Sequence, residues 1–438
     1  VRLTPDTPLP ASVRRPAYDR SAQAAGIAHI GIGAFHRAHQ AVYTDDAMNA
    51  GDRDWGITGV SLRSGDVAAQ MNPQDGLYTI SMRGAQSSEI RLIGAVQRVL
   101  VASEPPQAVI DAIAAPTTHI VSFTVTEKGY LRRADGTLNL TEAAGGPSLY
   151  RFVAAGLAAR KASGLRGLTL LSCDNLAGNG AVLRRLMREY LAAYHPDLAA
   201  WFDGECTCPA TMVDRISPAT TEADRAAVEA TLDARDEGAV VTELFSQWVI
   251  EDDFAGPRPR WDAVGAELVA DVAPYESAKL RMLNGAHSAL AYIGLGKGHE
   301  FVHQAIADPA IRPMIERLMR DEAAPTIDAA PGQDLPAYAD ALIERFANPA
   351  LNHRLSQIAM DGSQKIPQRW LETLAWHQRR GQTCEALPEA IAAWIAFLRS
   401  DAPIDDPLAD RLRAAVAGPD ATRALFAPGG LLPSDWIP

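Results

Sequence analysis

Four cysteines in 438 residues are too few for a disulfide-built scaffold. They are also not spaced for a metal. Cys206 and Cys208 flank a single threonine, with Pro209 next, whereas zinc ligands ordinarily come as Cys-x2-Cys with a second pair or with histidines in step. No His-Glu-x-x-His occurs. Free or buried thiols at Cys173, Cys206, Cys208 and Cys384, and no metal site, are therefore expected. Basic residues are in the minority: 41 lysines and arginines stand against 53 aspartates and glutamates, a net charge of −12. Binding nucleic acid requires neutralising its phosphates, so nucleic acid is not an expected partner. No apolar run approaches the roughly 20 residues of a membrane helix, so no membrane partner is expected. Residues 1–11 lack the basic start and apolar stretch of a signal peptide, and a cytoplasmic location is expected.

What remains is an ordinary globular composition, 47% hydrophobic and 21% charged, in a chain long enough for two or three domains. The first half alternates short apolar runs with helical patterns. Strands are expected at 27–33, 57–62, 77–82, 90–96, 120–126 and 167–173. Helices are expected at 35–49, 148–163 and 182–194. Unbroken apolar strands alternating with helices predict a mostly parallel sheet covered on both faces. From about 273 onward the strand signals nearly vanish. Helices are expected at 276–294, 300–306, 311–323, 335–346, 366–379, 389–399 and 407–416. The fold class is α/β followed by all-α, divided as 1–270 and 271–438, with a proline-rich stretch at 254–261 near the boundary.

The sequence Ala28-His-Ile-Gly-Ile-Gly-Ala-Phe35 sets Gly31 and Gly33 directly after the first strand. Glycine there permits a tight turn and lets backbone approach a pyrophosphate. Ala34 and Phe35 open the next helix, whose free N–H groups favour an anion. Arg37, in its first turn, is placed to meet a phosphate. His36 stands where the third glycine of the dinucleotide fingerprint usually falls. The second strand ends Ser61-Leu-Arg-Ser64, where such proteins carry a ribose-reading residue. Arg63 and Ser64 occupy this point and Asp66 follows. Arg63 suits stacking on adenine or pairing with a 2′-phosphate. NAD is the favoured cofactor, with NADP as the alternative. These features make 1–270 a Rossmann-type domain, although the turn alone also fits a plain glycine-rich connection.

In the second half, Tyr275-Glu-Ser-Ala-Lys-Leu-Arg-Met-Leu-Asn-Gly-Ala-His287 holds the strongest local pattern. On a helix of about 100° per residue, Glu276, Lys279, Asn284 and His287 fall within one arc of about 140°. Four polar types share that side of an otherwise apolar helix. A solvated polar stripe would look similar, and the pattern by itself names no reaction.

Lys279-x4-Asn284-x2-His287, taken with Gly31-Ile-Gly-Ala-Phe-His-Arg-Ala-His39, resembles the polyol-specific long-chain dehydrogenase family. Four further stretches match in order: Thr126-Glu-Lys-Gly-Tyr130, Ser172-Cys-Asp-Asn-Leu176, Gln247-Trp-Val-Ile-Glu-Asp252 and Asp361-Gly-Ser-Gln-Lys-Ile-Pro367. The similarity thus runs over nearly the whole chain. It implies a Rossmann-type domain, a helical domain, substrate held in the cleft between them, and zinc-free hydride transfer between a nicotinamide cofactor and a secondary alcohol. It assigns Lys279 as general base, Asn284 and Asn175 to the reacting oxygen, His287 to substrate orientation and Glu276 to the proton exit path. Thr126 and Glu127 fall with the cofactor residues, and Val213, Asp214 and Lys365 with the substrate residues.

The chemistry suits these assignments. Lysine's ordinary pKa of about 10.4 keeps it protonated at neutral pH. It acts as a base only where burial and a nearby cation disfavour its charge. Two amide donors stabilise the developing oxyanion without a metal. Two substrates compete: a hexonate, D-mannonate with D-fructuronate, or a plain polyol, mannitol with fructose. Ala34, the Ser61–Ser64 stretch and Asn352-His-Arg-Leu-Ser-Gln-Ile-Ala-Met-Asp361 look more like the fructuronate reductases of that family, a resemblance that implies the hexonate. Gln357 stands where mannitol enzymes carry an arginine. A carboxylate needs a cation, and Lys365, Arg354 and Arg369 are available. A non-catalytic sugar- or dinucleotide-sensing protein and an oxidative decarboxylase of a sugar acid are the readings from other classes. A monomer or small homo-oligomer is expected.

Overall fold

Strand β1 (Ala25–Ile30) alternates its side chains between two apolar layers. Ile27 joins one layer, while Ala28 and Ile30 join the other. A computed structural model describes residues 1–438, which fall into two units, Val1–Val272 and Ala273–Pro438. After β1 the first unit carries β2 (Gly56–Ser61), β3 (Tyr78–Arg83), β4 (Ser88–Ile93), β5 (Val96–Val101), β6 (Ile120–Phe123) and β7 (Thr169–Ser172). Four further strands follow: β8 (Thr211–Asp214), β9 (Val240–Glu243), β10 (Gln247–Glu251) and β11 (Glu267–Val269).

Five of these make one parallel sheet in the order β5-β2-β1-β6-β7. On one side, Val109, Ile113, Leu149, Leu157, Leu183 and Leu186 from three helices pack on Ala28, Ile30, Val121 and Phe123. On the other, Ala41, Val42 and Met48 of Gln40–Asn49 pack with Ile27, Ile57, Ile120 and Leu171. Burial on both faces is why these strands read as unbroken apolar runs. The chain leaves β1 in one direction for β2 and β5, then returns to its other side for β6 and β7. The crevice at the carboxyl ends of β1 and β6 is therefore the topological switch point, where ligands of such sheets bind.

Three expectations for this unit change. The strand expected at 90–96 is split, because Gly94 N–H donates to Asp45 Oδ1 (2.9 Å) and Gly94 O accepts from Arg20 Nε (2.8 Å). With both backbone groups taken by side chains, β4 ends and β5 begins. The hairpin of β3 and β4 pairs with β9 in a separate sheet of order β4-β3-β9, and a third sheet runs β11-β10-β8. The helix expected at 35–49 breaks at His39 (φ −126°, ψ −90°) into Ala34–Ala38 and Gln40–Asn49. At this break Ala38 O accepts from Arg215 Nη1 (2.7 Å), and the His39 ring reaches Gln247 O (2.8 Å).

The second unit is helical around a core that includes Met282, Leu290, Leu318, Trp370, Trp394 and Phe426. Three of its expected continuous helices contain a π-helical turn. These are Lys279–Asn284, between Ala273–Ala278 and Gly285–Gly296; Leu318–Ala323, after Arg312–Arg317; and Pro367–Leu371, between Gly362–Ile366 and Glu372–Gln378. A π turn closes i→i+5 hydrogen bonds in place of i→i+4. Pro367 supplies a cause for the third, since it has no N–H for the regular ladder. The first turn packs against both others. Trp370 Nε1 donates to Gly285 O (3.0 Å) and Arg369 Nη1 to Asn284 O (3.3 Å). Side chains of one irregular turn thus bind backbone carbonyls at the end of another. No helix of the chain is long and apolar enough to cross a membrane.

Candidate active site

The turn after β1 needs its first glycine. Gly31 has φ +100°, and a Cβ there would lie 2.2 Å from Thr124 O. Gly33 is exposed, and a Cβ on it would meet only Gly31 O, 3.9 Å away. The turn therefore presents bare backbone at the switch point, which fits a pyrophosphate. Ala34 and Phe35 are half-buried, and the Phe35 ring stacks on His39 with centroids 5.2 Å apart. His36 stacks on His29 at 3.4 Å, with the ring planes 16° apart. A glycine at this point usually permits close packing of helix on strand; here the stacked rings achieve it.

His29 in turn meets Ser122 Oγ (2.7 Å) and Thr124 Oγ1 (2.8 Å), and Thr124 Oγ1 donates to Gly31 O (2.7 Å). Burial pushes the His29 pKa down to about 3 and holds His36 well below the usual histidine range. Both rings are neutral near pH 7. Arg37 departs from its expected place toward a phosphate. Its guanidinium is buried, bonded to Gly238 O and to Gly33 O (3.3 Å), 5.8 Å from the Tyr78 ring centroid. The turn of the short helix aims it inward, toward the start of β9.

At the end of β2, Ser61 Oγ donates to Ser64 O (2.5 Å) and Ser64 Oγ to Asp66 Oδ2 (2.5 Å), while Arg63 is exposed. After β6, Thr126 adopts φ +64°, and both Thr126 and Glu127 are exposed. This loop is clamped by Asp174. Its carboxylate accepts from Val125 N–H (3.0 Å), Thr126 N–H (2.8 Å) and Tyr130 Oη (2.9 Å). Burial raises the Asp174 pKa against the pull of those donors. Asn175 follows it, exposed on the loop after β7. The other side of that loop is fastened by buried Asn179, whose Nδ2 donates to Asp174 O (3.1 Å) and Thr211 O (2.9 Å). Val213 and Asp214 are buried on β8, opposite Trp248 and Gln247 of β10. Cys206 and Cys208 are free and buried, their thiols pushed up by burial to about 11 and about 12.

In the second unit, Lys279 opens the first π turn and Asn284 closes it, both half-buried. Glu276 is half-buried in the helix just before. An i→i+5 ladder turns less per residue than an α-helix, so Asn284 lies closer to the azimuth of Lys279 than the about 140° of an α-helical wheel. His287 is buried, and burial holds its pKa well below the usual range, with His353, Arg345 and Arg369 adding to the effect. Arg369 Nη1 donates to Ser288 Oγ (2.8 Å) as well as to Asn284 O. Lys365 Nζ donates to Met360 O (2.5 Å) and Ile358 O (3.3 Å), and burial followed by Arg369 lowers its pKa. Asn284, His287, Lys365 and Arg369 are thus brought together. Arg354 is not. It is exposed, paired with Glu300, and its guanidinium lies over the Phe301 ring at 5.2 Å.

Asp174 and His353 were not among the expected site residues. Asp174 lies inside the matching stretch Ser172–Leu176, and His353 inside Asn352–Asp361. In each case the expected role falls on the adjoining residue, Asn175 or Arg354.

A parallel-sheet unit with a bare glycine turn at its switch point, followed by a helical unit carrying Lys279, Asn284 and His287, defines a dinucleotide-dependent dehydrogenase architecture. The model described as "Mannitol dehydrogenase Rossmann domain" matches residues 25–263, and "Mannitol dehydrogenase C-terminal domain" matches 271–425. The chain is 40% identical to D-mannonate oxidoreductase of Escherichia coli (strain K12), over 98% of this chain and 93% of that protein. It is 36% identical to the Pseudomonas fluorescens mannitol 2-dehydrogenase solved as a ternary complex with NAD and D-mannitol, with a TM-score of 0.83 over 97% of this chain and 90% of that one. A D-sorbitol dehydrogenase solved in substrate-free form is 31% identical, with a TM-score of 0.90 over 96% and 91%. The chain belongs to the mannitol dehydrogenase family and is an oxidoreductase of that family.

Proposed function

We propose that this oxidoreductase interconverts D-mannonate and D-fructuronate with NAD. The observation that carries the substrate choice is Arg369. Arg369 is half-buried, burial pushes its pKa down to about 10, and its partners are the neutral atoms Ser288 Oγ and Asn284 O. A cation partly withdrawn from water without a carboxylate partner is costly. A substrate carboxylate would supply the missing charge in the bidentate form that arginine favours. Two of the three N–H bonds of Lys365 go to carbonyls, leaving one for the same ligand. The 40% identity to a D-mannonate oxidoreductase supports this substrate. The relative bound with NAD and the glycine turn at Gly31–Gly33, with Gly33 exposed, support the cofactor.

Held at the Gly31–Gly33 turn, a nicotinamide dinucleotide would supply the hydride acceptor. Lys279 then takes the hydroxyl proton, for which it must be uncharged beforehand. Asn284 and Asn175 donate N–H groups to the reacting oxygen as charge develops. Glu276, three residues before Lys279, passes the proton onward, and His287, Val213 and Asp214 contact the substrate chain. Gly31, Gly33, Ala34, Phe35, Arg63, Ser64, Thr126 and Glu127 are assigned to the cofactor. The test is initial-rate oxidation of D-mannonate and of mannitol with NAD and NADP. NAD-linked turnover of D-mannonate should dominate, and Arg369→Met should raise its KM about 100-fold, a larger loss than the same variant causes in any slow mannitol turnover. Preferred oxidation of mannitol would overturn the hexonate reading.

A further inference from the structure

Phe346 lies 4.8 Å from His287 between ring centroids, and His353 stands edge-on to the same ring at 5.3 Å with the planes 88° apart. His287 Nε2 and His353 Nδ1 are both shielded from solvent, and neither meets a hydrogen-bond partner in the protein. A buried polar atom left unpaired is costly, and native proteins satisfy the great majority of such atoms. Two of them on adjoining rings mark a place where another molecule completes the bonds. Burial disfavours the charged form of both rings. A neutral imidazole offers one donor and one acceptor, which matches a hydroxyl group better than a carboxylate. The segment carrying His353 is held on both sides. Val302 N–H donates to His353 O (3.0 Å), Leu355 N–H donates to Glu300 O (3.0 Å), and Arg354 between them clasps Glu300.

We propose that His353 is a second hydroxyl-reading imidazole of the substrate site, binding one hydroxyl of the polyhydroxylated chain beside the hydroxyl taken by His287. The proposal rests on the oxidoreductase reading but not on the choice of D-mannonate, since hexonates and polyols both carry neighbouring hydroxyls. Arg354 is then a positioning residue, acting through the segment that bears His353.

The experiment uses the full chain with His353→Phe, which keeps a ring against His287 but removes the nitrogens, and His353→Asn, which returns a polar atom near the place of Nδ1. KM and kcat are measured for D-mannonate and a set of its monodeoxy analogues, with NADH binding followed by fluorescence. His353→Phe should raise the KM for D-mannonate about tenfold or more while NADH affinity stays unchanged. That penalty should vanish on the one analogue lacking the hydroxyl concerned, and His353→Asn should recover part of it. An unchanged KM, or an equal penalty on every analogue, overturns the proposal. If His353→Phe fails to fold, the Asn variant carries the same comparison across the analogues. If the native chain prefers mannitol, the D-mannonate assignment falls, and deoxy analogues of mannitol decide the role of His353 separately.

Discussion

In the first unit most candidate residues sit at or just after the carboxyl ends of strands; in the second most sit inside helices. The first kind of site needs its loop backbone held still once the sheet's hydrogen bonds have run out. The Asp174 carboxylate does this by taking two N–H groups and a phenol from the loop after β6. The second kind has the opposite problem, because a regular helix leaves no backbone group free and fixes every azimuth. There the ladder itself is dislocated into π turns, and facing side chains such as Trp370 and Arg369 bind the carbonyls at the junction. A sheet thus provides irregular backbone at its edge, and a helix only by losing its own register.

The sharpest way to separate the two devices is to remove chemistry from one without disturbing the other. Lys279→Ala should lower kcat for alcohol oxidation near pH 7 by about 10³-fold while leaving NADH affinity within twofold, read by steady-state rates and fluorescence titration. Comparable turnover in the variant would take the lysine out of the mechanism. Gly31→Ala attacks the other unit. It forces a Cβ against Thr124 O at a positive φ and should cost about 3 kcal/mol of stability, with NADH binding lost. A variant with native melting behaviour and native affinity would show that the turn relaxes.

Glu322 makes a comparable clamp within the helical unit. Its buried carboxylate accepts from the N–H groups of Glu385, Ala386 and Leu387 at the start of Ala386–Arg399. Glu322→Gln should lower stability by about 2 kcal/mol, measured by denaturant titration, without changing NADH affinity. Asp174→Asn should have the smaller effect, raising the Kd for NADH about tenfold while the melting temperature moves by only a few degrees. The reverse ranking of the two carboxylates would erase the distinction drawn here.

Acid titration strikes both units at once. His29, His36, His287 and His353 all have pKa values pushed down by burial. Below the ordinary histidine pKa of about 6.5 the unfolded chain binds protons that the folded chain refuses. Stability is therefore complete above about 6.5 and falls as the pH drops toward 5, by up to about 1.4 kcal/mol per pH unit for each histidine. A melting temperature that stays flat between pH 7 and 5 would contradict this.

The sequence made the parallel sheet legible because strands buried on both faces are apolar throughout, and it made the glycine turn legible because few other residues serve there. It did not reveal β8, β9, β10 or β11. Runs of three to five residues, such as Glu267–Val269, are too short to show an alternation. Nor did it reveal the π turns, since one wide turn shifts the apolar period of 276–294 by less than a residue's width. Lys279, Asn284 and His287 were legible as a shared face, but the face was drawn on the wrong helical wheel. Arg37 was misplaced for a related reason: sequence spacing located it in the first turn without showing that the helix ends at Ala38 and points its side chain at Gly238.

The dislocated helices make chain length in this region as specific as chain composition. Deleting one residue between 279 and 284 would allow an ordinary α-helix to run from Ala273 to Gly296, locally a better hydrogen-bonded segment. Because a turn of i→i+5 bonds spends one residue more than an α turn on nearly the same rotation, the residues after the deletion would keep their azimuth, while the carbonyls of Asn284 and Gly285 that Arg369 and Trp370 now bind would close into the regular ladder. Because the irregular turn at 279–284 leans on the other two, no one of the three can be straightened alone. Single-residue insertions and deletions here should be far less tolerated than substitutions.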